Sequence, residues 1–231
     1  MSSLLTRVEN YVIQLLNNNL DSSYLYHNLV HTQRVVAKTL ELTNEMELSE
    51  EDKESVLIAA WFHDTGFTKR NENHEKESVL IAKEFLKSQS LDDEQIKQIS
   101  NLILATELNF EPKSILEQIM IDADCAHLAS KSFFDTNNLL RKEWELLGSK
   151  AFTDKEWILE NIKFFSEEHK YYSDYALKNW SKGKEKNLAK LMKQLKKLKT
   201  DEKKFTQKQE EIQIKKAKKE IPERGIETMF R

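Results

Sequence analysis

Apolar residues recur at intervals of three and four positions along most of the chain, a spacing that predicts amphipathic helices. Strict alternation of apolar and polar residues never extends beyond a few positions, so we expect no substantial β-strand. The fold class that this pattern predicts is all-α. The expected helices cover approximately residues 4–17, 23–46, 50–64, 73–86, 96–106, 112–124, 132–147 and 154–180.

Local signals mark several helix boundaries. Residues 49–52 and 153–156 are typical of helix N-termini with capping side chains. Pro112 is expected to open the sixth helix. Gly66 is predicted to stop the third helix in a left-handed conformation. The polar link at residues 65–73 is expected to be mobile.

Composition supports this helical organisation and limits the alternatives. Four glycines and two prolines among 231 residues indicate short loops, and the length allows one helical domain plus an appendage. We therefore predict a domain at residues 1–180 and a basic helical tail at 181–231. The single cysteine, Cys125, excludes an internal disulfide framework and a cysteine-based zinc knuckle, and it favours a cytoplasmic location.

The net charge of −3 conceals two regions of opposite sign. Residues 182–219 hold 15 lysines and 5 acidic residues, whereas residues 1–181 hold 19 basic and 31 acidic residues. Leucines in the tail, at positions 188, 191, 195 and 198, indicate an amphipathic helix that favours a homo-oligomer. The alternatives are a solvated basic linker and a segment that lies on an anionic membrane surface. Because the body is acidic, we expect no nucleic-acid partner.

Polar residues that bind metals interrupt three apolar helical stretches. These are His31, the pair His63 and Asp64, and the pair Asp122 and Asp124. Ionised carboxylates are rarely buried without a partner or a metal, so the three interruptions point to one shared polar centre. Imidazole and carboxylate ligands suit divalent Mn, Fe, Zn, Ni, Co or Mg, and such a centre activates water or binds phosphate. A surface or structural histidine is the alternative for position 31.

Further polar residues are candidates for the chemistry around that centre. His27 lies four positions before His31, so we expect the two to share a helix face and His27 to act as a general acid. His74 is a candidate for phosphate binding, proton relay or a second metal. Lys69 and Arg70 are candidate substrate-binding residues for phosphate, with solvated loop cations as the alternative.

Two other histidines are given structural roles. His127, three residues after Asp124, is expected to pack between helices beside the predicted centre. His169 has charged neighbours in sequence and is predicted to lie on the surface.

The set His31, His63, Asp64 and Asp124 resembles the H…HD…D signature of the HD-domain metal-dependent phosphohydrolases. The resemblance covers about residues 20–180 and is carried by the strings YHNLVH, AAWFHDTG, NHEKES and IDADCAHL. It implies an all-helical HD bundle in which these four side chains are the metal ligands. From the chemistry of such a centre, Asp64 is also a candidate to orient the attacking water. The last aspartate of the signature usually follows an alanine, which favours Asp124 over Asp122.

Two more resemblances refine the expectation. YHNLVH is similar to the start of the cyclic-nucleotide phosphodiesterase site, whose first histidine is the general acid, and this supports His27. His74 resembles a further histidine of two-metal HD proteins, but Thr106 and Glu107 stand where another is expected. Residues 224–231, RGIETMFR, resemble the join of Pycsar-effector-type HD proteins, which implies attachment to membrane-spanning helices in a longer chain.

The sequence therefore predicts a metal-dependent phosphohydrolase that acts on a phosphomonoester or phosphodiester of a nucleotide, including a cyclic or signalling nucleotide. One alternative is a sensory module that binds metal and nucleotide with little turnover and signals through the C-terminal helix. Another is a helical association domain in which the histidines are structural.

Overall fold

The computed structural model describes residues 3–148 and 150–220, with side chains described up to residue 216. Within those ranges the chain forms nine α-helices and no β-strand, which confirms the all-α prediction. The helices are α1 (Ser3–Asn19), α2 (Leu29–Asn44), α3 (Glu50–Phe62), α4 (His74–Ser88), α5 (Asp93–Leu104), α6 (Ile115–Asp124), α7 (Phe133–Leu146), α8 (Asp154–Lys163) and α9 (Asp174–Glu220).

Side-chain caps explain where many of the helices begin. In each case an oxygen of the capping side chain accepts a hydrogen bond from a backbone amide two or three residues later, which satisfies an otherwise unpaired donor. The capping residues of α2, α3, α5, α6 and α8 are Asn28, Ser49, Asp92, Ser114 and Thr153.

Two of these caps correct predicted boundaries. The helix expected from residue 23 begins only at Leu29, because the Asn28 side chain caps it there. His27 therefore lies in the preceding loop and does not share a helix face with His31. The sixth helix begins at Ile115 rather than at Pro112, since Ser114 supplies the cap.

The link between α3 and α4 is more ordered than predicted. It contains a buried 3₁₀ turn, Thr65–Thr68, which packs against α4. Gly66 lies within this turn and is not left-handed; among the described glycines the positive φ belongs to Gly148, at 69°. A Cβ atom on Gly66 would lie only 1.9 Å from the carbonyl oxygen of His74. Glycine is thus needed here for close backbone approach rather than for a helix stop.

The helix predicted at 154–180 is two helices separated by a turn. After α8 the chain forms a π-helical turn, Phe164–Glu168, and α9 begins at Asp174. The buried carboxylate of Asp122 holds this turn: it accepts hydrogen bonds from the backbone amides of Tyr172 (2.9 Å) and Ser173 (2.8 Å) and from the Ser173 hydroxyl (2.6 Å).

Helix α9 has 47 residues and crosses the predicted domain boundary at residue 180 without a break. Leu191 is buried in a small core cluster with residues of α7 and α8, and the other tail leucines, at 188, 195 and 198, pack against that cluster. These leucines thus cover apolar surface of their own chain. The domain boundary and self-association through the tail stay predictions. Residues 224–231 lie outside the described part of the chain.

Helix α3 is the central helix of the larger core. Eight consecutive residues, 55–62, are buried, and α3 packs against α1, α2, α5 and α6. A helix that is apolar all round belongs in the interior, so its C-terminal end delivers His63 into the middle of the bundle. None of the described helices combines the length and apolar character of a membrane-spanning segment.

We expect Gly66→Ala to destabilise the protein by about 3 kcal/mol, because the new methyl group would have to displace the backbone of α4. Gly148→Ala is the matched control: nothing lies within 4 Å of its added Cβ, so only the left-handed backbone strain remains, about 1 kcal/mol. Urea unfolding of both variants measures the difference. Equal losses would show that the contact with His74 is not tight.

Candidate metal centre

Four predicted ligands come together where α2 begins and α3 and α6 end. The Nε2 atoms of His31 and His63 are 3.2 Å apart. Asp124 Oδ1 lies 3.1 Å from Nε2 of His31 and 3.8 Å from that of His63. Both histidines are buried, whereas the Asp124 side chain is 27% exposed. We call His31, His63, Asp64 and Asp124 the metal cluster.

Asp64 supplies the second carboxylate of the metal cluster. Its Oδ2 lies 3.2 Å from Nε2 of His31 and 3.1 Å from Nε2 of His63. This oxygen is buried, and in the described part of the chain no donor is aligned with it for a hydrogen bond, so its contacts with the two histidines are ion-pair distances alone. A buried carboxylate oxygen without an aligned donor is costly, and a cation would reduce that cost.

The spacing of the cluster and the tautomer of His63 fit a divalent ion. Bonds of about 2.0–2.2 Å place neighbouring nitrogen and oxygen ligands roughly 3.0–3.5 Å apart, which agrees with most of these distances. His63 donates its Nδ1 proton to the carbonyl of Ala60 at 2.8 Å, so its neutral form presents the Nε2 lone pair to the cluster. The donor set of this chain is therefore suited to a divalent ion.

His31 needs a local change before it can bind an ion. Arg34 donates a hydrogen bond to its Nδ1 at 3.0 Å, which places the proton of the neutral imidazole on Nε2, facing Asp124. To hold an ion through Nε2, the neutral imidazole would carry its proton on Nδ1, which could then no longer accept the hydrogen bond from Arg34. Arg34 therefore favours the tautomer of His31 that is protonated on Nε2.

The charges of the metal cluster shift the pKa values of its own members. Burial opposes the charged form of His63, but the carboxylate of Asp64 outweighs burial and raises the pKa of His63 to about 9. Burial would likewise raise the pKa of Asp124, but hydrogen bonding and charge from His31 lower it to about 2. The histidines thus compete with a metal by holding protons between the carboxylates.

His27 lies beside the metal cluster and is held by a residue that the sequence did not single out. Glu143 of α7 accepts hydrogen bonds from the backbone amides of Tyr26 (2.7 Å) and His27 (2.9 Å), and its other oxygen contacts His27 Nδ1. The imidazoles of His27 and His31 have centroids 5.6 Å apart. Glu143 is buried and so fixes both the loop and the imidazole.

His74 approaches the opposite side of Asp64. Its Nε2 lies 3.6 Å from Asp64 Oδ1 and 3.5 Å from a carboxylate oxygen of Glu75. Its imidazole stacks on Phe67 with centroids 3.8 Å apart, and the same Phe67 ring contacts His27. The two oxygens of Asp64 therefore face different histidines, and the roles proposed for His74 stay open.

Lys69 and Arg70 are not brought into the metal cluster. Both side chains are exposed, and Arg70 pairs with Glu77 at 2.6 Å. In the described part of the chain, neither forms an ion pair or hydrogen bond with a cluster residue. Their substrate-binding role stays a prediction.

The remaining sequence candidates have structural contacts. Asp122 faces away from the cluster and holds the turn before α9. His127 packs between helices, as expected, with Nδ1 3.1 Å from the hydroxyl of Tyr26. Cys125 is a free, partly buried thiol. The prediction for His169 is wrong: it is only 9% exposed, because the turn before α9 folds over it.

Comparison with protein families agrees with this geometry. Residues 28–129 match the family model described as HD domain. A search of curated proteins and a search of solved structures each find no match. The matched segment contains the whole metal cluster and ends before Glu143 and His169.

We expect divalent metal binding to release about one proton or more at pH 7, because His63 with a pKa of about 9 must lose its proton to become a ligand. The apparent affinity for Mn²⁺ should then rise by about tenfold per pH unit for each proton released, and level off as the pH passes 9. Calorimetry in buffers of different ionisation enthalpy measures the proton count. Binding at pH 7 without proton release would contradict the protonated cluster.

Proposed function

We propose that this chain, whose residues 28–129 match the HD-domain family model, is a metal-dependent phosphohydrolase that cleaves a phosphomonoester or phosphodiester of a nucleotide. The observation that carries the proposal is the convergence of His31, His63 and Asp124, with the buried Asp64 oxygen 3.1–3.2 Å from both imidazoles. His31, His63, Asp64 and Asp124 would hold the ion. When bound, a divalent ion supplies a hydroxide near neutral pH and a Lewis acid for phosphoryl oxygens.

The pair of His27 and Glu143 is suited to protonate the leaving oxygen. Cleavage of the phosphorus–oxygen bond leaves negative charge on the departing oxygen, which needs a proton. Glu143 binds the Nδ1 side of the imidazole, so a protonated His27 keeps its Nε2 proton for the leaving oxygen. After transfer, the imidazole is neutral and regains a proton from solvent.

Asp64 and His74 are suited to position the attacking water and to accept its proton. Oδ1 of Asp64 faces away from the other ligands, towards His74. This oxygen would orient the attacking water, and His74 would carry its proton away or contact the phosphate. Lys69 and Arg70 would add positive charge at the entrance only if Arg70 left Glu77.

A sensory module that binds metal and nucleotide is the second candidate, and one contact favours it. Asp122, two residues before the ligand Asp124, holds the turn from which the 47-residue helix α9 starts. Occupancy of the metal cluster would thereby reach the tail directly. In either case we place the protein in the cytoplasm, where its single thiol stays reduced.

Asp124→Asn and Asp122→Asn form a matched pair that separates metal chemistry from folding. We expect Asp124→Asn to lose bound metal and at least about a hundredfold in turnover while it keeps its helicity. Asp122→Asn should keep metal and turnover and lose about 2 kcal/mol of stability, because an amide cannot accept all three hydrogen bonds.

The measurement is a screen of nucleotide phosphomonoesters and phosphodiesters with several divalent metals, beside elemental analysis and thermal unfolding. Full metal-dependent turnover in Asp124→Asn would refute the hydrolase proposal. A nucleotide-dependent rise in melting temperature without product would favour the sensory candidate.

His27→Gln is expected to lower kcat by about a hundredfold on a phosphoester with an alkyl leaving group. On p-nitrophenyl phosphate the loss should be small, because that leaving group departs without a proton. Glu143→Gln should follow the same pattern more weakly, since it acts through His27. Equal losses on both substrates would show that His27 is not the general acid.

A further inference from the structure

A small cavity lies against the metal cluster, on the side of α6 that faces α5 and the turn before α9. Its volume is about 80 Å³, and Asp124 forms part of its wall. About 10–15 Å³ of such space suffices for one water molecule, so the cavity has room for a small polar group. Because Asp124 belongs to both, the cavity lies directly beside the metal cluster.

The side chain of His169 forms part of the wall of this cavity and makes no hydrogen bond in the described part of the chain. The residue is 91% buried, and neither ring nitrogen has a hydrogen-bond partner within the described ranges. Both backbone polar groups of His169 are hydrogen-bonded. The amide donates to the carbonyl of Phe164 at 2.9 Å, and the carbonyl accepts from Lys184 at 2.6 Å. A buried polar group without partners is rare in native proteins and calls for a ligand or a water.

The chemistry of the imidazole restricts what that ligand is. Burial, assisted by the charge of Lys184, lowers the pKa of His169 to about 3, so the ring is neutral and offers one donor and one acceptor. A hydroxyl group can pair with either ring nitrogen, because it both donates and accepts. A phosphate dianion only accepts, so it can pair only with the N–H.

The other cavity walls also favour a neutral hydroxylated group. Glu107 and Asp124 are carboxylates that repel a second anion, and the Lys170 ammonium, also in the wall, lies over the ring of Tyr172, 4.9 Å from its centroid. Phe110 and Phe164 provide apolar surface for the carbon atoms of a sugar. This combination of apolar surface and one polar anchor is common in carbohydrate-binding sites.

We propose that His169 binds a sugar hydroxyl of the phosphoester substrate in this cavity, while the phosphate lies at the metal cluster. The inference rests on the proposed function for the phosphate position. It assigns a specificity-determining residue outside the segment that matches the HD-domain family model.

Two ligands that differ only in their hydroxyls test the proposal: ribose 5-phosphate and tetrahydrofurfuryl phosphate. We expect the Mn²⁺-loaded wild-type protein to prefer ribose 5-phosphate by about tenfold, the factor that one ordinary hydrogen bond supplies. His169→Phe should abolish the preference, and His169→Gln, which keeps a donor and an acceptor, should retain part of it. The preference is read as a ratio of kcat/KM, or of dissociation constants where no product forms.

The imidazole NMR signal of His169, assigned by its loss in His169→Phe, gives a readout that does not need turnover. A shift with ribose 5-phosphate and none with tetrahydrofurfuryl phosphate supports the inference, whether or not product forms; the hydrolase proposal is tested separately by the nucleotide screen. Turnover without preference, or equal preference in wild type and His169→Phe, overturns the inference and leaves the hydrolase proposal intact.

The unliganded protein supplies a control for a purely structural role. Replacement of an unsatisfied buried polar group by an apolar one of similar shape is neutral or stabilising. We therefore expect His169→Phe to melt at or above the wild-type temperature in the absence of ligand. A lower melting temperature together with an unchanged ligand preference would show that His169 is a packing residue.

Discussion

Desolvated charge at the ends of apolar helices is the constraint on which this structure depends. His63 and Asp64 follow a helix whose last eight residues are buried, so neither can reach bulk water. Their charges are tolerable only because opposite charges meet them within 3.1–3.2 Å. The ends of α3 and α6 and the start of α2 must therefore converge, and the surrounding bundle is arranged to allow it.

The elements around the metal cluster keep that convergence in place without taking part in it. Gly66 lets the chain turn directly from Asp64 into the backbone of α4, which brings His74 to the far side of the carboxylate. Glu143 fixes the loop before α2 from the opposite direction. Residues remote in sequence thus set the positions of two histidines that are candidates for proton transfer.

The sequence predicted the fold class and the four converging side chains because both leave periodic or local signals. Three apolar stretches that stop at His or Asp can be recognised without coordinates, as can the caps at Ser49 and Thr153. Glu143 left no such signal, since an acidic residue on an amphipathic helix is ordinarily solvated. His169 was misjudged for a related reason: charged neighbours indicated the surface, whereas a tertiary turn held by Asp122 buries it.

The errors in the predicted helix boundaries arise because hydrogen-bonding side chains outweigh the helical periodicity of the sequence. Helical periodicity continues through residues 23–28, but a single asparagine oxygen that captures two backbone amides outweighs it and starts α2 later. At the C-terminal side, a buried aspartate creates a turn inside what sequence periodicity joins as one helix. In both places one hydrogen-bonding side chain decides against the local propensity.

The length of α9 gives small movements near its base a large effect elsewhere. Forty-seven residues of α-helix span about 70 Å, and the side chains at positions 199–216 are exposed. Because the first part of α9 packs against α8, a change at the turn bound to Asp122 would move the helix as one rigid element. A tilt of about 5° would carry its distant end through roughly 6 Å. The helix thus converts a small displacement beside Asp122, two residues before Asp124, into a large one at its far end.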